Sequence, residues 1–167
     1  MDFDMFDLFV ADHRRLAELV VESGLEPVVI REISMHLAAE SRLLYPAIED
    51  HLDGGKAVAS RLLRGDHELE ELLATAESKG PDPASVDEVR AMVQRHVEGQ
   101  ELVFPAVKDA IPPEEQARLG QEVSRTVREA PTRPHPHLPD HGFFEPAADA
   151  IASTIDHLRD TGRRRDQ

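Results

Sequence analysis

The chain has 167 residues, with 19 Lys and Arg against 33 Asp and Glu, a formal charge of −14 with histidine neutral. That balance excludes nucleic acid and anionic membrane surfaces as natural partners, because both repel it. Cysteine is absent, so disulfides, thiolate metal sites and cysteine nucleophiles are excluded together, and any metal must be held by nitrogen and oxygen.

Gly24 to Pro27, Gly54-Gly55, Lys79 to Pro83 and Pro112-Pro113 punctuate the chain. They leave four long segments at roughly 4–23, 28–52, 56–78 and 85–110, each rich in the helix formers Leu, Ala, Glu and Arg. In the first, Leu8, Phe9, Leu16, Leu19 and Val20 recur at helical spacing. Pro46 in the second and Pro105 in the fourth should kink or end their helices. The fourth opens with Ser85 and Glu88 at capping-box spacing.

A shorter polar helix follows Pro112-Pro113 and reaches about Glu129. Five prolines between 131 and 146 make an extended arm, and Ala147, Ala148, Ile151, Ile155 and Leu158 then recur as a last helix. The expected fold is all-α: an antiparallel up-down four-helix bundle with a short fifth helix over residues 1–130. Residues 131–167 form a Pro-rich arm and a C-terminal helix that packs on the bundle or pairs two copies into a homodimer. With no run of roughly 20 apolar residues and an acidic N-terminus, unlike a secretory signal, the protein is expected in the cytoplasm.

The chain repeats itself. Asp12-His13 opens one half and Asp66-His67 the other, 54 residues apart. His36, Glu40 and Leu44-Tyr45-Pro46-Ala47-Ile48 are echoed by His96, Glu101 and Val103-Phe104-Pro105-Ala106-Val107. Two helix pairs related by a pseudo-two-fold axis would bring His13, His36, His67 and His96 to one level.

His36 and Glu40 lie one turn apart, about 40° around the helix, on the side that carries Val29, Ile33, Leu43 and Leu44. An imidazole and a carboxylate aimed into a core are costly to bury unless something pairs them, and a cation does. Donors of nitrogen and oxygen without sulfur suit iron or manganese, with zinc as a further candidate. In the fourth helix Gln100 holds the position four past His96, and Glu101 lies five past it. Glu101 can share the site only if the turn widens as in a π-bulge, which Gly99 would ease. The fourth-helix pattern also runs nine steps from His96 to its proline, against ten from His36. Tyr45, about 180° around a regular helix from His36, should face away from the site unless Pro46 distorts the helix. His51, at a helix end, reads as structural.

The run His13, His36-x-x-x-Glu40, His67, His96-x-x-x-x-Glu101, with its Leu-Tyr-Pro and Val-Phe-Pro endings, resembles hemerythrin-like proteins of the HHE cation-binding class. The resemblance covers about residues 4–110. It implies a four-helix bundle around two iron ions with an oxo or hydroxo bridge, ligated by His13, His36, Glu40, His67, His96 and Glu101. Oxygen-carrying members place two histidines four apart on the third helix, where this chain has His67 with Leu63 and Glu71 around it. Glu71 as the replacement ligand gives four histidines and three carboxylates, closer to an oxidase-type centre than to a carrier. The partner so implied is a small oxidant: O2, H2O2 or NO. Two other readings stay open, a catalase-like or ferroxidase enzyme and a metal-free helical interaction module.

Overall fold

Asp4 starts the first helix: its carboxylate accepts from the Asp7 N–H at 2.9 Å, satisfying a donor that the first turn leaves open. The computed structural model describes residues 4–129. The arm and last helix expected at 131–167, with the dimer contact assigned to them, lie outside the described residues. Helix α1 (Met5–Ser23) ends at Gly24, whose positive φ of 62° lets its N–H close on the Val20 carbonyl. Pro27 begins α2 (Pro27–Ala39) in the first turn, where no N–H is missed. Glu40–Leu44 then forms a π-turn, and the rod continues as α3 (Tyr45–His51).

Gly54 and Gly55 turn the chain into α4 (Gly55–Lys79). A Cβ on Gly55 would strike the Ile48 carbonyl, so glycine permits this close approach of α3 and α4. Helix α5 (Pro83–Glu101) begins one turn before its Ser85 expectation. Asp82 is the N-cap, Pro83 follows it, and Ser85 closes the capping box with bonds of 2.7 and 2.9 Å. Aspartate caps about as well as serine, and the proline that follows Asp82 presets the first turn there. A short break at Leu102 and Val103 leads to α6 (Phe104–Ala110), and α7 (Pro113–Glu129) follows.

The described residues are all-α, an up-down bundle of four rods: α1, α2 with α3, α4, and α5 with α6. The rods pack in sequence, and α5 closes back on α1. The fifth helix, α7, lies across α1 and α2 and sets Leu119 and Val123 on the cluster that holds Met5, Phe6 and Phe9. Gln116 fixes its start by donating from Nε2 to the Lys108 and Ile111 carbonyls, both at 2.8 Å. Among the described residues no helix is long and apolar enough to cross a membrane.

The core is split in two. One cluster gathers Phe9, Leu44, Ile48, Leu62 and Phe104, and the other gathers Leu16, Ile33, Leu37, Leu69 and Val93. On every rod the residues between these clusters are polar: His13 on α1, His36 and Glu40 on the second rod, Asp66 on α4, and His96 and Gln100 on α5. The His96 side chain is 6% exposed and the others are buried, so a polar layer crosses the middle of an otherwise apolar bundle.

Candidate metal centre

Glu40 is the hub of that layer. Its Oε1 lies 2.8 Å from His36 Nε2 and 3.3 Å from His13 Nε2, and its Oε2 lies 3.4 Å from His96 Nε2. The four side chains each offer one donor atom, all within 4.8 Å of one another. Gln100 Nε2 donates to Glu40 Oε2 at 2.8 Å and to the Tyr45 hydroxyl at 2.9 Å, while its buried Oε1 has no hydrogen-bond partner. Three nitrogens, a carboxylate and an unsatisfied carbonyl facing a closed layer suit a borderline cation.

Each inward imidazole is held from behind by a carboxylate. His36 Nδ1 donates to Asp12 Oδ2 at 2.8 Å, His96 Nδ1 to Asp66 Oδ1 at 2.8 Å, and His13 Nδ1 to Glu101 Oε1 at 3.2 Å. A proton fixed on Nδ1 leaves Nε2 as the ligating atom, and the carboxylate makes that nitrogen more basic. Phe9 stands edge-on to His36 and Phe104 stacks on His13, which keeps water from both rings.

The buried imidazoles and carboxylates perturb one another strongly. Burial alone would lower the pKa of His36, but the Glu40 carboxylate and the Asp12 bond outweigh it and push it up to about 9. His96 is likewise depressed by burial, yet Glu40 and Asp66 hold it well above the usual histidine range. Burial raises Glu40, and the facing His36 and His96 pull it well below the usual carboxylate range. Asp66 goes up because burial exceeds the pull of His96. Burial and the adjacent Asp66 also raise the Tyr45 phenol well above its ordinary value.

The structure brings together four of the seven residues expected as ligands: His13, His36, Glu40 and His96. Glu101 reaches the cluster through His13 Nδ1. It also lines a groove of about 930 Å³ with Phe6, Val10, Arg14 and Phe104, between the buried ring and solvent. His67 and Glu71 lie 3.7 Å apart on α4, 30% and 60% exposed. The seam of α4 runs through Ala59, Leu62, Asp66, Leu69 and Leu73, so Asp66 takes the inward position and His67, 100° further round, flanks it.

The widened turn is on the second rod and not at Gly99, where Glu101 would need it to share the site with His96. It carries Tyr45 inward, where the hydroxyl donates to Asp66. In α5, which stays regular, Gln100 therefore faces Glu40 and Glu101 turns toward His13. Asp12, Asp66, Gln100 and Tyr45 were not among the expected site residues. The two aspartates had a signal in the repeated Asp-His, where Asp12 and Asp66 precede His13 and His67. His51 closes α3, 3.5 Å from Glu115 of α7, as a structural helix-end residue would.

A helical bundle with histidines and a carboxylate converging from its rods is a metal-binding helical protein. Residues 29–107 match the family model of the hemerythrin HHE cation-binding domain. A similar protein is an uncharacterized hemerythrin-like protein of Schizosaccharomyces pombe, 29% identical over 136 residues, or 77% of this chain. The match spans 66% of that relative's length. No solved structure gave a match.

Proposed function

We propose that this chain is a non-haem di-iron protein that binds or reduces O2, peroxide or NO. The observation that supports it is the convergence of three Nε2 atoms on Glu40, with a carboxylate behind each ring. His13, His36, Glu40 and His96 would hold one ion. The second would draw on His67 and Glu71, remaining donors that the family resemblance implies, with Glu101 kept behind His13. Bound iron supplies one-electron redox chemistry and an exchangeable position for a small oxidant. The rest is the work of the chain: Glu40 offsets cation charge, the outer carboxylates keep Nδ1 protonated, and Phe9 and Phe104 exclude water.

Protein reconstituted with ferrous iron under argon is expected to retain about two irons per chain and to gain near-ultraviolet absorption in air. His36→Ala is expected to lose both. Retention of less than about one metal per chain, with no spectral change, overturns the reading.

A further inference from the structure

The chain has one tyrosine, no tryptophan and no cysteine. That tyrosine, Tyr45, is buried against the histidine layer. In the matching place of the other half, before Pro105, stands Phe104, also buried, so packing there needs no hydroxyl. The Tyr45 hydroxyl donates to Asp66 Oδ2 and accepts from Gln100 Nε2 at 2.9 Å. Both partners lead on to candidate ligands. The other Asp66 oxygen accepts from His96 Nδ1 at 2.8 Å, and Gln100 Nε2 also donates to Glu40 at 2.8 Å. The most readily oxidised ring in the chain is thus joined to the centre by two hydrogen-bonded routes, and a carboxylate already receives its proton.

We propose that Tyr45 is a one-electron donor to the metal centre, with Asp66 as the acceptor of its phenolic proton. The inference rests on the iron reading above. The O–H bond breaks as the ring gives up an electron, and the proton crosses the existing hydrogen bond. A neutral phenoxyl radical and a neutral Asp66 carboxyl remain. The oxidant is hydrogen peroxide: its reduction to two waters takes one electron from iron, one from Tyr45 and two protons from solvent. The second electron matters where only one ion of the pair is ferrous, because one-electron cleavage of peroxide then releases hydroxyl radical. Moving proton and electron together avoids a cationic phenol in a buried site, where nothing would solvate it.

The test is freeze-quench electron paramagnetic resonance on the iron-loaded chain mixed with hydrogen peroxide. The expected result is an organic radical whose hyperfine pattern collapses in protein made with ring-deuterated tyrosine. Tyr45→Phe should abolish the signal while iron content and the peroxide-induced absorption change remain. Asp66→Asn, compared at equal iron content, should slow its appearance by roughly 10²-fold, the lower end of what a positioned proton acceptor contributes. The deuterated protein carries no substitution, so the outcome does not depend on how Tyr45→Phe folds. Iron-loaded protein that changes its absorption with peroxide but forms no radical overturns the proposal and leaves the iron reading standing. A radical indifferent to tyrosine deuteration also overturns it. Failure to retain iron overturns both.

Discussion

Asp66, Asp12 and Glu101 do the same job for three different rings, at three depths. Asp66 is 5% exposed and 2.8 Å from His96, Asp12 is 22% exposed and 2.8 Å from His36, and Glu101 is 39% exposed and 3.2 Å from His13. Removing a carboxylate behind a ligating histidine typically weakens metal binding 10- to 100-fold. The loss should be graded, because water can take over from an exposed carboxylate but not from a buried one. Asp66→Asn is therefore expected to weaken binding about 100-fold, Asp12→Asn about 30-fold, and Glu101→Gln about 10-fold or less. The two ends correspond to about 2.7 and 1.4 kcal/mol. The assay is titration of the metal-free variants with cobalt(II) against a chromophoric chelator at fixed pH, where the cobalt spectrum also reports its ligand field. A larger loss in Glu101→Gln than in Asp66→Asn would make Glu101 a direct ligand. It would also refute the assignment of that carboxylate to the back of His13. No loss in Asp12→Asn would refute the whole argument from outer carboxylates.

Metal loading at neutral pH is expected to release protons, because His36, with a pKa of about 9, and His96, also raised, must both give up Nε2 to the cation. Calorimetry in two buffers of different ionisation enthalpy measures this, and equal heats would count against it. Stability of the metal-free chain should run the opposite way. The His36 contribution is fully present below its unfolded value of 6.5 and fades as pH rises through about 9. That of Glu40 is present above 4.5 and fades as pH falls through its lowered value. Thermal melts in chelator should thus peak between pH 4.5 and 6.5, and a melting temperature still climbing at pH 9 would contradict the assignment. Leu73→Ala, deep in the cluster away from Phe104, should lower unfolding stability by about 2–5 kcal/mol and leave cobalt affinity unchanged. A matching loss of affinity would mean that the polar layer depends on that cluster's packing.

The architecture is readable in the chain because its turns are marked by residues with a single physical use. Gly24 and Gly54 take up positive φ, Pro27 and Pro83 start helices, and Pro112-Pro113 cannot continue one. The start of α5 is misread by one turn because both Ser85 and Asp82 satisfy a capping pattern, and spacing alone does not rank them. The polar layer is readable for a different reason. His36 and Glu40 share a face with Val29 and Ile33, so they cannot avoid the core, and their burial demands a partner. His67 is harder: it and Asp66 are neighbours, and a shift of one residue exchanges which of them faces inward. Only the seam set by Leu62, Leu69 and Leu73 decides it, and that seam favours Asp66.

The one-residue mismatch between the halves explains most of what local spacing misassigns. From His36 to Pro46 is ten residues, and from His96 to Pro105 nine. An inserted residue in a continuous helix is accommodated as a π-turn, and the longer half is the one that contains it, at Glu40–Leu44. The sequence therefore carries the signal for the widened turn, but it lies in the count to the proline and not in the glycine at 99. Once the insertion is placed on the second rod, the other assignments follow. Glu40 keeps its place one turn below His36, since the widening begins there, and the residues after it are offset around the helix axis relative to a regular α-helix. That rotation turns Tyr45 inward, onto Asp66 and Gln100. The shorter half has no such rotation, so Gln100 faces Glu40 and Glu101 falls to the side, behind His13. Two nearly equal halves thus give an asymmetric centre, with a buried phenol on one side and a carboxylate beside a groove on the other.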